Sequence, residues 1–192
     1  MDLSMAETLL RGLGSALETE EAEHVDILIC GSMAMILQGV ISRRTRDIDG
    51  AAFISTVNGE LVLSKPYPSP AFRRAIERVG SVHNIQKHWL SFQSKTLLDD
   101  GLPDGILERA ITRDYGSKLT VRLISRYDMI LLKMKAAVAR GGIDIEDLSA
   151  MNTTQEEVSV GFDWCLEQGY PKESLLEVLE KIGHGELAKR FA

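Results

Sequence analysis

The feature that most constrains the fold of this 192-residue chain is the apolar run Ile27-Leu28-Ile29-Cys30, cut off by Gly31-Ser32 and followed fifteen residues later by Asp47-Ile48-Asp49. An unbroken run of this length bounded by glycine reads as a short strand buried on both faces, here residues 26–30. Residues 32–39 then read as a short helix ended by Gly39, and 47–55 as a second strand closed by the turn signal Asn58-Gly59. A strand, a tight turn and a second strand within thirty residues place the chain among mixed α and β folds.

The remaining pattern fills in that frame. Residues 3–20 form an amphipathic helix with Leu9, Leu10, Leu13 and Leu17 at helical spacing, weakened by Gly12 and Gly14. Pro66, Pro68 and Pro70 mark a loop, and a helix follows over 70–79. Residues 88–93 read as a strand and 94–106 as a polar connection, while 109–114 and 119–124 flank Gly116-Ser117 as a hairpin. From Ser125 onward the pattern is helical: one helix to about Arg140, stopped by Gly141-Gly142, and further helices opening at Asp144, at Thr153 or Thr154, and at Pro171. The expectation is an α+β protein: a small mixed sheet with flanking helices over residues 1–124, and a helical region over 125–192 packed on that core.

Composition narrows the function classes. Hydrophobic residues make up 44% and charged residues 26%, which describes a folded rather than a disordered chain. A net charge of −6 argues against a protein that coats nucleic acid, though not against a local basic rim. No 18-residue apolar run and no signal peptide is visible, and the two cysteines, Cys30 and Cys165, form no disulfide framework; together these point to the cytoplasm and away from a membrane. No Walker-type glycine loop and no nucleophile elbow occurs, and His24, His83, His88 and His184 show no metal-ligand spacing.

What remains is the turn and the acidic pair. Side chains alternate along a strand, so Asp47 and Asp49 fall on one side with Ile48 opposite. Two close carboxylates repel unless a cation lies between them, and a hard cation such as Mg²⁺ or Mn²⁺ takes a few carboxylate oxygens while keeping places for phosphate. Gly31 allows close backbone approach to a phosphate, and Ser32 adds a hydroxyl and an N–H at a helix start. The pattern therefore points to metal-assisted chemistry on a nucleoside triphosphate. The bland alternative is a surface acidic pair and an ordinary helix cap. Arg43, Arg44 and Arg46 precede the acids and read either as a solvated run or as a rim of the site, with Arg46 assigned to the nucleotide.

Gly31-Ser32 followed by Thr45-Arg46-Asp47-Ile48-Asp49 resembles the signature of the DNA polymerase β-like nucleotidyltransferase superfamily. Within it, the chain looks nearest to the AbiEii/AbiGii-type toxin nucleotidyltransferases and their small relatives. The resemblance extends over roughly residues 25–165 and includes the segment Tyr127 to Ala136, Arg140, Asp144 and Asp147-Leu148. It implies transfer of a nucleotide to a hydroxyl acceptor on a tRNA end or a protein, a setting in toxin action or phage defence, and an antitoxin-like partner. It also implies Lys135 as a triphosphate contact and Asp147 as a further catalytic residue. On the residues alone, Lys135 reads equally as a snorkelled lysine, and Asp144 and Asp147 as an N-cap and a third helical position. One departure stands out. The family carries a third carboxylate on a later strand, and His88 to Gln93 contains none. A catalytically degenerate module that binds or regulates is therefore the second expectation.

Overall fold

The computed structural model describes residues 1–92 and 97–192. The chain divides into two compact units, Met1–Ser125 and Arg126–Ala192.

The first unit is built on a six-stranded mixed sheet. Its strands are β1 (Val25–Cys30), β2 (Ile48–Val57), β3 (Glu60–Ser64), β4 (Leu90–Ser91), β5 (Ile111–Asp114) and β6 (Leu119–Leu123). The order is β3-β2-β1-β6-β5, with β4 pairing separately to β2. β1 runs antiparallel to β2 and parallel to β6, so it lies in the middle of the sheet. That position explains its apolar run, since Ile27, Leu28 and Ile29 are all fully buried. The hairpin β2-β3 turns at Asn58 and Gly59, both at positive φ, as a two-residue primed turn requires. The helices of this unit are α1 (Leu3–Thr19), α2 (Gly31–Leu37), α3 (Pro70–Val82) and the short α4 (Ile106–Arg109).

Helix α1 is regular despite its two glycines, and Gly14 has a packing reason. A Cβ on Gly14 would overlap the backbone carbonyl of Tyr115, just after β5, so only glycine lets the helix approach that hairpin. A Cβ on Gly12 would meet Val79 of α3 at an ordinary contact distance of 3.5 Å. The β3 strand and α4 go beyond the sequence expectation. Of the expected strand over 88–93, only Leu90 and Ser91 join the ladder, and Gln93, like residues 94–96 of the expected connection, lies outside the described residues.

The second unit comprises α5 (Arg126–Arg140), α6 (Ile143–Ala150), α7 (Gln155–Glu167), α8 (Lys172–Lys181) and α9 (Gly185–Phe191). Helix α7 opens with a capping box, Thr154 and Glu157 each satisfying the other's backbone N–H. The Glu157 carboxylate also receives Arg126 at 2.8 Å, which ties the start of α7 to the start of α5. Gly161 on α7 faces the sulfur of Met134, where any side chain would collide. One expectation is corrected in this unit. Asp144 is not an N-cap: Gly142 occupies that position, at positive φ, and Asp144 lies in the first turn with its carboxylate drawn into a buried ion cluster. Helix α9 is an element the sequence pattern did not announce. Among the described residues no helix is long and apolar enough to cross a membrane.

Candidate active site

The apolar register of β1 carries the chain to Cys30, which pairs directly with Asp49 on β2. The next residue, Gly31, turns the chain out of the sheet at φ 69°, a left-handed conformation that favours glycine. This turn brings the two motifs together. One carboxylate oxygen of Asp49, Oδ2, lies 2.7 Å from the position that a Cβ on Gly31 would take. The acid thus rests against the bare backbone of the turn, and the missing side chain is the space it uses.

Asp47 stands one residue before the start of β2, and between the two acids Ile48 is fully buried. Asp47 and Asp49 are both half-buried. On the far edge of β2, Ile48 pairs with Leu90 and Asp49 with Ser91 of β4 in parallel register. The neighbour of Asp49 is therefore a hydroxyl rather than a third carboxylate. Among the described residues no group of three or more His, Cys, Asp or Glu side chains is arranged to hold a metal ion. Two carboxylates at one strand end have the chemistry that a hard cation would use, its shell completed by water and phosphate oxygens.

The strand that supplies Asp49 is irregular at this point. Leu28 pairs with Ala52, but Ile29 pairs with Gly50, so Ala51 is an extra residue on β2. Such a bulge reverses the alternation of faces beyond it. Its effect is visible in Phe92, whose ring covers Gly50 and also stacks on Phe53 at 5.1 Å between centroids. Phe72 of α3 meets Phe53 edge-on at 5.6 Å. This aromatic cluster packs beneath the strand and leaves Asp49 on the opposite side from Ile48.

Ser32, the other half of the turn, is buried, and its hydroxyl accepts a hydrogen bond from Nη2 of Arg43. Local pattern assigns Arg43 no role beyond membership of the basic run. Nothing in local spacing shows that it reaches back eleven residues to the turn. Arg46 is exposed, and its backbone carbonyl accepts from the Gln86 side chain at 3.1 Å.

Lys135 and Asp147 belong to the helical unit. Lys135 is buried, with its ammonium 5.9 Å from the ring centre of Trp164. It lies close enough to Cys165 to favour the thiolate, but burial outweighs it and pushes the Cys165 thiol up to about 12. Asp147 is 1% exposed and forms an ion pair with Lys133 at 2.7 Å. The same Lys133 ammonium holds Asp144 at 2.7 Å, and Asp144 in turn receives Arg140 at 2.9 Å. One ammonium, that of Lys133, thus serves both acids of this pair. A groove between α1 and α3, lined by Gly12, Ala16, Val79 and His83 among others, shares no residue with the turn or the acids.

A mixed sheet in which a glycine-serine turn leaves one strand and a carboxylate from its antiparallel neighbour packs against that turn defines a nucleotidyltransferase-like α+β protein. The chain belongs to the family described as nucleotidyltransferase of unknown function (DUF6036), which matches residues 9–162. That span runs from within α1 to within α7 and includes every candidate residue named above. No curated protein and no solved structure matches the chain.

Proposed function

We propose that the Gly31-Ser32 turn and the Asp47/Asp49 pair bind a nucleoside triphosphate with Mg²⁺ or Mn²⁺, and that the chain transfers the nucleotidyl group to a hydroxyl acceptor on a tRNA end or a protein side chain. The observation that carries this reading is the packing of the Asp49 carboxylate against Gly31. Asp47 and Asp49 would hold the cation, which when bound withdraws charge from the phosphate oxygens and makes the α-phosphorus more electrophilic. Gly31 and Ser32 would seat the phosphates against the backbone. In the transfer, the acceptor oxygen bonds to the α-phosphorus, the bond from that phosphorus to the β-phosphate oxygen breaks, and pyrophosphate leaves. The acceptor proton passes to a general base. The likeness to AbiEii/AbiGii-type nucleotidyltransferases supports a role in toxin action or phage defence, with an antitoxin-like partner.

A second reading is favoured by one observation: β4 presents Ser91 where a third acid would stand beside Asp49, and Asp147 is already engaged by Lys133. On that reading the chain binds nucleotide as a regulatory module and does not turn it over. One experiment separates the two. Thermal unfolding is followed with each NTP and Mg²⁺, together with transfer of label from α-³²P-NTP. A ligand at 100 times its dissociation constant adds about 2.7 kcal/mol of stability. The enzyme reading expects stabilisation and label transfer, both lost in the Asp47→Ala/Asp49→Ala variant. Stabilisation without transfer supports the binding module, and neither signal refutes both.

A further inference from the structure

We propose that Arg43 recognises the polyphosphate tail of the ligand, so that the site selects nucleoside triphosphates over monophosphates. This rests on the nucleotide reading above and adds a specificity-determining residue to it.

Three arginines precede the acidic pair, and the structure sends them to different places. Arg44 is largely exposed and its guanidinium reaches Asp2 at 3.4 Å. Arg46 is exposed. Arg43 is half-buried and folds back over the turn, with Nη2 on the Ser32 hydroxyl and Nη1 on the Arg44 carbonyl at 3.2 Å. Ser32 adjoins Gly31, and Gly31 carries the Asp49 carboxylate on its bare face. A guanidinium and a carboxylate therefore stand on the same two-residue turn.

This arrangement matches what a metal-bound polyphosphate needs. A cation held by Asp47 and Asp49 would neutralise part of the phosphate charge. The remaining non-bridging oxygens need a fixed positive group, and the planar guanidinium fork fits two of them at once while never losing its charge. A monophosphate, lacking the tail, gains little from such a group. A hydrogen bond to a charged partner contributes about 1.5–3 kcal/mol, or roughly 10-fold to 150-fold in affinity.

The test is isothermal titration of the full chain in Mg²⁺ with ATP, GTP, CTP and UTP, then with the di- and monophosphate of whichever base binds. The wild type is expected to bind triphosphate more tightly than monophosphate. Arg43→Gln should weaken triphosphate at least 10-fold and monophosphate less than 2-fold. Arg43→Lys, which keeps the charge and loses the fork, should fall between; it carries the test if circular dichroism shows that Arg43→Gln does not fold. Equal losses for tri- and monophosphate, or no loss for either, overturn the assignment and leave the nucleotide reading standing. A wild type that binds no triphosphate removes both.

Discussion

Substituting Gly31 by alanine tests the packing on which the functional reading stands, because a second glycine supplies a matched control. Gly31 and Gly39 share nearly the same positive φ, 69° and 71°. Placing a side chain in that conformation costs about 1–2 kcal/mol at either position. They differ in what the new methyl meets. At Gly39 nothing lies within 4 Å, whereas at Gly31 the methyl would stand 2.7 Å from Oδ2 of Asp49, 3.4 Å from its Cγ and 3.5 Å from its Cβ. The obstacle is the end of a side chain, so the carboxylate can swing aside, adding about 0.5–1.5 kcal/mol at most. On the proposed mode of binding the functional cost is far larger. Mg²⁺ demands oxygens at about 2.0–2.1 Å in near-octahedral array, and a ligand displaced by about 1 Å costs on the order of 100-fold. Ligand at 100 times the wild-type dissociation constant would then add about 0.4 kcal/mol to Gly31→Ala, against about 2.7 in wild type and in Gly39→Ala. At about 4 °C per kcal/mol, the shift in unfolding temperature drops from roughly 11 °C to roughly 2 °C. Differential scanning fluorimetry with Mg²⁺ and NTP reads this directly. If Gly31→Ala keeps the same ligand-induced shift as Gly39→Ala, the close approach of turn and acid plays no part in binding.

The buried cluster in the helical unit makes a separate prediction. Lys133→Ala leaves Asp144 and Asp147, at 2% and 1% exposure, without their shared cation and should cost about 3–5 kcal/mol in urea unfolding, while a Lys133→Met/Asp144→Asn/Asp147→Asn variant should recover much of that. A loss below about 1 kcal/mol for Lys133→Ala would show that the cluster does not stabilise the unit. Acid sensitivity gives another test. Arg126, and then the Thr154 backbone N–H, hold the Glu157 carboxyl below its ordinary value of 4.5 despite partial burial. The folded value is the lower one, so the stabilisation is complete above the unfolded value and fades as pH falls through the folded one. Glu157→Gln should therefore lose stability near neutral pH and show a shallower decline between about pH 5 and about pH 3. A decline as steep as wild type would assign that acid sensitivity to other carboxylates.

The parts of this fold that could be read from the chain are those set by local pattern. Ile27 to Cys30 announces a central strand because both faces are covered, and Gly31 announces the turn because glycine readily takes the left-handed backbone found there. The hairpin β5-β6 and helix α5 follow from turn residues and helical spacing in the same way. What local pattern hides is dictated by distant neighbours. Gly14 looks like a helix breaker until the Tyr115 carbonyl beside it is seen. Residues 88–93 alternate like a strand, but Phe92 leaves the ladder to cover Gly50. The Lys133 cluster is hidden because its acids, eleven and fourteen residues later, lie across the Gly141-Gly142 break, where a helical wheel no longer applies. Arg43 is hidden for the same reason: its reach depends on the path of a loop.

Ala51 has a consequence out of proportion to its size. One uncounted residue in β2 sets the phase between an acidic end and an aromatic end of the same strand. Deleting it would give β1 and β2 an unbroken ladder and, by parity, rotate one of those ends through half a turn, so that either the carboxylates or the phenyl rings would face the wrong layer. A tidier sheet would be the less competent one, and in this strand length is as strictly specified as composition.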